Sequence, residues 1–437
     1  MNLFDTILAS RGLLGNDRDA FLHPDYDKKH DPYLLPDMNA AVDRLVDAKN
    51  KSQSIVIYGD YDIDGLTATT LLLDAFKSFG IAKVDVYIPN RFVEGYGLTV
   101  DAVEKIAKKG ADLVVTVDCG SLSEKEIVRA NQLGMDVIVT DHHNVAAVQP
   151  PAVAVINPKR LLMEYPDEYD SYILKSNSKY RDTLYPFLDL AGVGVAFKLV
   201  QAMQQKLPNL GEGQEKWLLD LVALGTVCDV VNLTDENRAN VYWGLEVLRK
   251  TRRPGIRALM KVCGVTPENI TARSLGFALG PRMNAAGRLE TAQHSLDLLT
   301  SAKKTDADFF AHKLDVMNTT RREDQDRIFS EADKQAQYFL SDNVLVLCGQ
   351  NWSHGIIGIV AAKLVEKYKK PTFVLEEMGT EAKGSARSFG DFSAADAIRA
   401  CDDIITKGGG HKFAAGVTMP TERIIDFRKR VNDYYRT

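Results

Sequence analysis

Carboxylates and imidazoles recur in this sequence in the combinations that metal chemistry needs. In Gly59-Asp60-Tyr61-Asp62-Ile63-Asp64-Gly65 three aspartates alternate between two glycines. Confining that much negative charge to one short loop is electrostatically costly unless a cation shares it. One aspartate would suffice for the ordinary job of capping a helix start. Asp118 lies in Val117-Asp118-Cys119-Gly120 and alone reads as a turn residue. Asp141 precedes the pair His142-His143, and a carboxylate beside a histidine can fix which ring nitrogen carries the proton. Asp229 ends Gly225-Thr226-Val227-Cys228-Asp229, where a helix cap is as good a reading as a ligand.

Taken together, the four segments offer carboxylate oxygens and imidazole nitrogens without a thiolate. That donor set favours Mn²⁺ or Mg²⁺ over a structural zinc. Two such ions sharing a carboxylate lie about 3.5–4 Å apart. They can activate a water and stabilise both the attacking and the leaving oxygen of a phosphoryl centre. The chemistry implied is phosphodiester hydrolysis.

The elements that must position these groups follow a repeating rhythm. Short runs rich in valine and isoleucine occur at Ser54–Tyr58, Val84–Ile88, Leu113–Val117, Val137–Thr140 and Val153–Ile156. Helical patterns lie between them at Leu66–Phe79, Thr99–Lys109 and Ser123–Leu133. Alternating strands and helices predict a parallel sheet covered on both faces. Ligands of such sheets sit beyond the carboxyl ends of the strands, where three of the four acidic segments fall. Leu190–Arg249 reads as mostly helical, and Ala302–Leu340 as one long charged helix. Strand signals then restart at Val344–Leu347 and Thr372–Leu375. The fold class expected is α/β, a parallel-sheet domain joined by a long helix to a smaller α/β domain. The divisions expected are 1–50 as a lead-in packed on the catalytic domain, 51–301 as that domain, 302–340 as the connecting helix and 341–437 as the substrate-binding domain.

The chain has 437 residues, 45% hydrophobic and 26% charged, the balance of globular domains rather than of a disordered chain. Its apolar stretches stop short of a membrane span and no signal-peptide pattern follows Met1. Cys119, Cys228, Cys263, Cys348 and Cys401 are scattered without CxxC spacing, which reads as reduced thiols in a cytoplasmic protein. The formal charge of −5 gives no global pull toward nucleic acid. Carboxylates that hold cations are counted in that sum, and the bound ions reverse the local field.

The set GDYDIDG, VDCG, TDHH and GTVCDVV resembles the four metal motifs of the DHH phosphoesterases. The likeness extends to the RecJ type, the single-strand-specific 5′→3′ exonucleases. It runs through Ser10–Leu13, Phe21–Pro24, Asp31–Met38, Arg91–Leu98 and Gly280–Leu289. The resemblance implies that Asp62, Asp64, Asp118, His142 and Asp229 are metal ligands for two Mn²⁺ (or Mg²⁺) ions, with Asp118 between them. It implies that Asp60 completes or orients one shell, that Asp141 supports the histidines, and that His143 faces the scissile phosphate. Arg91, Arg282, Asn284 and Arg288 are expected to grip phosphate. Cys228 stands where the family has a small residue such as alanine and is not expected to be a ligand.

The C-terminal part resembles the DHHA1-type substrate-binding domain that follows DHH modules. Its hallmark is a glycine loop ending in histidine, here Gly408, Gly409, Gly410 and His411. Ser353 and His354 in SHGIIG, and Arg387 in GSARS, match the same pattern and are expected to supply a second glycine turn and a phosphate-binding arginine. The implied activity is stepwise release of 5′-mononucleotides from single-stranded DNA in repair and recombination, with a helicase or single-strand-binding protein as partner and no membrane. RNA or short oligonucleotides are the alternative substrates, and a non-catalytic DNA-binding scaffold is the alternative from another class. The longer members carry an OB-fold after this domain. Since this sequence stops at Thr437, the expectation is a minimal core with reduced grip on long strands.

Overall fold

The computed structural model describes residues 2–167, 169, 183–207 and 210–436. The chain divides into two compact units, Met1–Gly287 with Thr291–Asp315, and Arg288–Glu290 with Val316–Thr437.

The first unit is built on a five-stranded sheet of order β2-β1-β3-β4-β5, with β1 Ile55–Gly59, β2 Val84–Tyr87, β3 Leu113–Val117, β4 Asp136–Thr140 and β5 Ala154–Ile156. Every strand pair is parallel. The β-branched runs form the strands because both faces are covered, and β1 and β3 are buried at every residue. The lead-in supplies helix α1, Met38–Asn50; α2, Ile63–Ser78, follows β1. Helices α3, Val100–Lys108, and α4, Glu124–Gln132, follow β2 and β3. Helix α2 is buried on almost all sides, which explains its apolar composition. Hydrogen bonds tie the lead-in to the rest of the unit: Trp243 Nε1 donates to Pro24 O (2.9 Å), and Lys198 Nζ donates to His30 O (2.7 Å) and to Glu236.

The strand order reverses between β1 and β3, because the chain leaves β1 for β2 on one side and returns to the other. That switch point is where a doubly wound sheet leaves a crevice at its carboxyl edge. Beyond the sheet, α5, Gly192–Lys206, and α6, Leu219–Cys228, pack on α2. Helix α7, Gly280–Leu289, is preceded by a π-helical turn, Leu275–Leu279.

The long helix is present as α8, Lys304–Ala336, with a 3₁₀ turn, Gln337–Phe339, completing the expected segment. Its residues through Asp315 belong to the first unit and those from Val316 to the second. Among the described residues no helix is long and apolar enough to cross a membrane.

The second unit has a mixed sheet of order β6-β7-β8-β10-β9. Its strands are β6 Leu345–Gln350, β7 Thr372–Met378, β8 Glu381–Arg387, β9 Lys407–His411 and β10 Ala414–Pro420. Only β6 and β7 run parallel; the other pairs are antiparallel. Helices α9, Ile357–Tyr368, α10, Ala394–Arg399, and α11, Ile424–Tyr435, cover it. One sequence expectation is corrected here. Gly408–His411 is not a loop but part of the exposed edge strand β9. Two of the glycines, Gly408 and Gly410, allow close packing. A Cβ at Gly408 would stand 2.4 Å from Ile398 Cγ2, and one at Gly410 would stand 2.5 Å from Ala414 O.

Candidate metal centre

The first acidic loop joins β1 to α2. Asp62 caps the helix, its Oδ1 accepting from the Asp64 N–H (2.9 Å) and the Gly65 N–H (3.2 Å). Asp60 is buried with Oδ1 unpartnered. Asp64 is fully buried and is held by the start of α5. Its two oxygens accept from the Gly192 N–H at 2.6 Å and the Val193 N–H at 2.9 Å, where a helix N-terminus favours negative charge.

Asp118 follows β3 in the left-handed region at φ +61°. Few residues other than glycine adopt that conformation, aspartate and asparagine being the main exceptions. His142 follows β4. Its Nε2 is 3.1 Å from Asp118 Oδ1, 3.6 Å from Asp229 Oδ2 and 3.9 Å from Asp64 Oδ2. A backbone hydrogen bond at Leu190 steadies the ring.

Asp229 does not come from the sheet. It is the C-cap of α6, turned inward before Val230, which is itself left-handed at φ +64°. Sequence pattern alone could not bring it here, because the approach of α6 to α2 depends on missing side chains. A Cβ on Gly225 would stand 2.4 Å from Thr67 Oγ1 and 2.8 Å from Asp64 Oδ1. On Gly192 it would stand 2.7 Å from Asp118 Oδ1.

Three groups of ligand atoms result: Asp60 with Asp62 and Asp118; Asp64 with His142 and Asp229; and Asp118 with His142 and His143. Within each group the atoms lie within 4.8 Å of one another. Asp60 Oδ1, Asp118 Oδ1, His142 Nε2 and Asp229 Oδ2 are all buried without a hydrogen-bond partner. Leaving such atoms unmade costs about 1–3 kcal/mol each, so the donors fit divalent cations and little else. The charges agree. Burial, then Asp62, pushes Asp60 up to about 8 and Asp229 up to about 7. Burial raises Asp64 and Asp118 well above the usual carboxylate range, with Asp229 and Asp64 respectively adding to it. Burial holds His142 down at about 3, hence neutral and able to coordinate.

His143 has a different environment. Its Nδ1 donates to Asp141 Oδ1 at 2.9 Å, and burial is outweighed by that hydrogen bond, so its pKa is raised. Asp141 also accepts the His142 N–H (2.7 Å), the His143 N–H (3.1 Å) and the Ser121 N–H (3.0 Å). Burial alone would raise Asp141, but the His143 hydrogen bond and charge hold it well below the usual carboxylate range.

The expected phosphate-binding residues fall into separate environments. Arg91 stacks over the Tyr61 ring at 4.2 Å, and its buried Nε has no partner. Arg282 is engaged by Asp315 Oδ1 (2.7 Å) and the Ala278 carbonyl (2.9 Å). Asn284 Oδ1 accepts the Ile63 N–H at 3.1 Å and so steadies the first acidic loop. In the second unit, Arg288 donates to Gly355 O (3.3 Å), the Ser353 carbonyl accepts from the Ile356 and Ile357 amides, and both N and Nδ1 of His354 are 2.8 Å from Glu376 Oε2. Arg387 has no carboxylate partner among the described residues. It donates to the Ala386 carbonyl (2.8 Å), and burial lowers its pKa. Gly358, at the start of α9, and Ser385 adjoin its guanidinium. Gly408–His411 is exposed throughout. Two features escaped sequence reasoning. The Gly192 and Val193 amides carry no side-chain signal, and Tyr96 was read only as part of a longer motif.

Two family models match the chain, DHH family, N-terminal domain over residues 54–226, and DHHA1 domain over residues 341–437. The chain is 38% identical over 434 residues to the single-stranded-DNA-specific exonuclease RecJ of Bacillus subtilis (strain 168), covering 98% of this chain and 50% of that protein. It is 35% identical over 423 residues to the protein of the same name from Escherichia coli (strain K12), covering 91% of this chain and 69% of that one. It therefore spans half the length of the first relative and about two thirds of the second. Among solved structures, RecJ in complex with Mn²⁺ from Thermus thermophilus superposes with a TM-score of 0.81 at 29% identity, over 98% of this chain and 58% of that one. A structure of exonuclease RecJ bound to manganese gives 0.77 at 32% identity, over 92% and 94%.

Proposed function

Because this chain belongs to the RecJ family, we propose that it is a metal-dependent 5′→3′ exonuclease that hydrolyses single-stranded DNA to 5′-mononucleotides. The observation that carries this reading is the convergence of four unpartnered, buried donor atoms from Asp60, Asp118, His142 and Asp229. Asp62, Asp64, Asp118, His142 and Asp229, with Asp60 in support, would hold two Mn²⁺ or Mg²⁺ ions. Bound there, the ions would supply Lewis-acid charge and lower the pKa of the attacking water.

The chain's own residues do the rest. Asp141 orients His143 through its Nδ1–H and favours the protonated ring, so its other nitrogen can donate to charge developing on the phosphate oxygens. The guanidinium of Arg91, steadied on Tyr61, retains an unused donor for a phosphate. Arg387, without a carboxylate partner and beside Ser385 and the start of α9, offers a second anion site. The β9 strand presents bare backbone along which a nucleic-acid backbone could lie. Cutting is thus assigned to residues 51–301 and holding the strand to 341–437.

The five free thiols support a cytoplasmic setting. The single strand must be opened and kept open by other proteins, so a helicase or single-strand-binding protein is the expected partner.

The test is a panel of 5′-labelled single-stranded DNA, RNA and dinucleotides with Mn²⁺, with and without chelator. Chelator-sensitive release of labelled mononucleotide from long DNA supports the reading. Cleavage of dinucleotides alone would replace it with a short-oligonucleotide phosphoesterase. No cleavage of any substrate, with Mn²⁺ bound, would leave a DNA-binding scaffold.

A further inference from the structure

Tyr96 sits on the segment between β2 and α3, with Gly95 and Gly97 on either side, both at φ +81°. No atom lies within 4 Å of where a Cβ would stand on either glycine. Their role is therefore backbone conformation, which lets the chain turn sharply on both sides of one tyrosine. The segment is anchored from the sheet, since Tyr58 OH donates to Gly97 O at 2.9 Å. The anchored segment thus projects a single phenol.

That phenol reaches the metal centre. Its OH donates to the backbone carbonyl of Asp118 at 3.2 Å and lies against the His143 imidazole, 3.1 Å from Nδ1 and 3.4 Å from Nε2. The Tyr96 and His143 rings meet edge to face, centroids 5.6 Å apart at 70°, and Tyr61 closes the other side of Tyr96 at 6.4 Å. His143 Nδ1 therefore has three oxygens near it, the Asp141 carboxylate at 2.9 Å, the Tyr96 hydroxyl at 3.1 Å and Asp118 Oδ1 at 3.8 Å. Besides Asp141, the half-exposed imidazole is packed by the His142 ring at 4.4 Å. The Tyr96 hydroxyl and ring edge add a contact on the side between its two nitrogens, which narrows its rotation about the Asp141 bond.

We propose that Tyr96 is a positioning residue which fixes the His143 imidazole, through its hydroxyl and ring edge, in the orientation that faces substrate. The phenol proton goes to the Asp118 carbonyl, so the Tyr96 oxygen meets the imidazole as a second, weaker acceptor that shares the Nδ1–H given to Asp141. Asp141 holds the Nδ1 of His143 and Tyr96 limits the ring's direction. This inference rests on the role proposed above for His143.

The experiment is a double-mutant cycle of Tyr96→Phe and His143→Ala, assayed for kcat and KM on a short single-stranded oligonucleotide and for Mn²⁺ affinity by calorimetry. Tyr96→Phe should lower kcat about tenfold, the kinetic equivalent of one lost hydrogen bond, with KM and the Mn²⁺ Kd within about twofold. In the His143→Ala background the same change should have no effect on kcat. In the metal-free protein, the low-field proton signal of His143 Nδ1–H should be sharp in wild type and exchange-broadened in Tyr96→Phe. An equal loss of kcat in both backgrounds, or a sharp Nδ1–H signal in the variant, overturns the proposal. A weakened Mn²⁺ Kd also overturns it, because Tyr96 would then act by supporting Asp118. If His143→Ala cleaves as wild type does, the reading of His143 fails instead. The Nδ1–H signal then still decides whether Tyr96 orients the ring.

Discussion

Replacing Gly192 with alanine inserts one methyl group between α5 and the metal centre. The added Cβ would lie 2.7 Å from Asp118 Oδ1, 2.8 Å from its Cβ and 2.9 Å from its Cγ. Comfortable contacts begin near about 3.5 Å, so Asp118 or the helix must move by about 0.6–0.8 Å. The helix is not free to retreat, because its Gly192 and Val193 amides hold Asp64. Asp118, in its left-handed backbone conformation, must yield. A functional constellation tolerates about 0.5 Å of displacement, and a misplacement of about 1 Å can cost about a hundredfold. The expectation is a Mn²⁺ affinity and a nuclease rate each reduced by about ten- to a hundredfold, with overpacking costing about 1–3 kcal/mol of stability. Calorimetric Mn²⁺ titration, nuclease rates and chemical denaturation in chelator measure the three. Gly194→Ala is the control, two residues along the same helix. Its added Cβ would meet the end of the Leu190 side chain at 3.3 Å, and alanine is favoured over glycine within a helix by about 0.5–1 kcal/mol. It should fold at least as well and bind Mn²⁺ as wild type does. If Gly192→Ala binds Mn²⁺ and cleaves DNA within about twofold of wild type, the account of how α5 abuts the site is wrong.

Metal-free protein should lose stability as pH rises from about 4 to about 8. Asp60 and Asp229 have folded pKa values raised to about 8 and about 7, so the folded state holds protons that the unfolded chain releases near pKa 3.9 or so, about the ordinary aspartate value. Asp60→Asn should flatten that slope in chelator, and Mn²⁺ should flatten it in wild type; equal slopes for wild type and Asp60→Asn in urea melts would refute the reasoning. Lys198→Met removes the buried amine that donates to Glu236 and the His30 carbonyl, and leaving buried partners of this kind unpaired costs about 1–3 kcal/mol. The Lys198→Met/Glu236→Leu double variant should regain part of that in thermal melts, and a further loss would contradict it. Arg387→Ala should raise KM for single-stranded DNA about tenfold, lower the salt slope of binding by about one and leave kcat near wild type. Arg387→Lys should recover only part of the affinity, having lost the planar fork.

How much was legible in advance depended on whether the signal was local. The strands of the first sheet announce themselves as β-branched runs, and Asp60, Asp62, Asp64, Asp118, His142 and His143 lie at or just beyond strand ends. A parallel sheet brings such ends together, so their clustering follows from pattern. Asp229 had no such warrant, since it rides on the C-terminus of α6 and its place depends on how three helices pack. Gly408–His411 misled for a related reason. Glycines read as a flexible loop, but here they allow an edge strand to lie close against Ile398 and Ala414. Arg282, Asn284 and Arg387 illustrate the same limit, because whether a polar side chain is engaged or available depends on its neighbours rather than on its motif.

By itself, then, the sequence determined the chemical class of the centre: oxygen and nitrogen donors in excess of what caps and turns require, spaced on strands that a parallel sheet must align. Only the tertiary structure decided which atoms are left without partners. Asp62 turns out to cap a helix, Asp64 to rest on the amides of another, and His143 to be held between Asp141 and Tyr96. The division is physical. Donor type is carried by each residue alone, whereas the fit of Gly192 and Gly225 against the carboxylates is set by helix packing that no local stretch of sequence encodes.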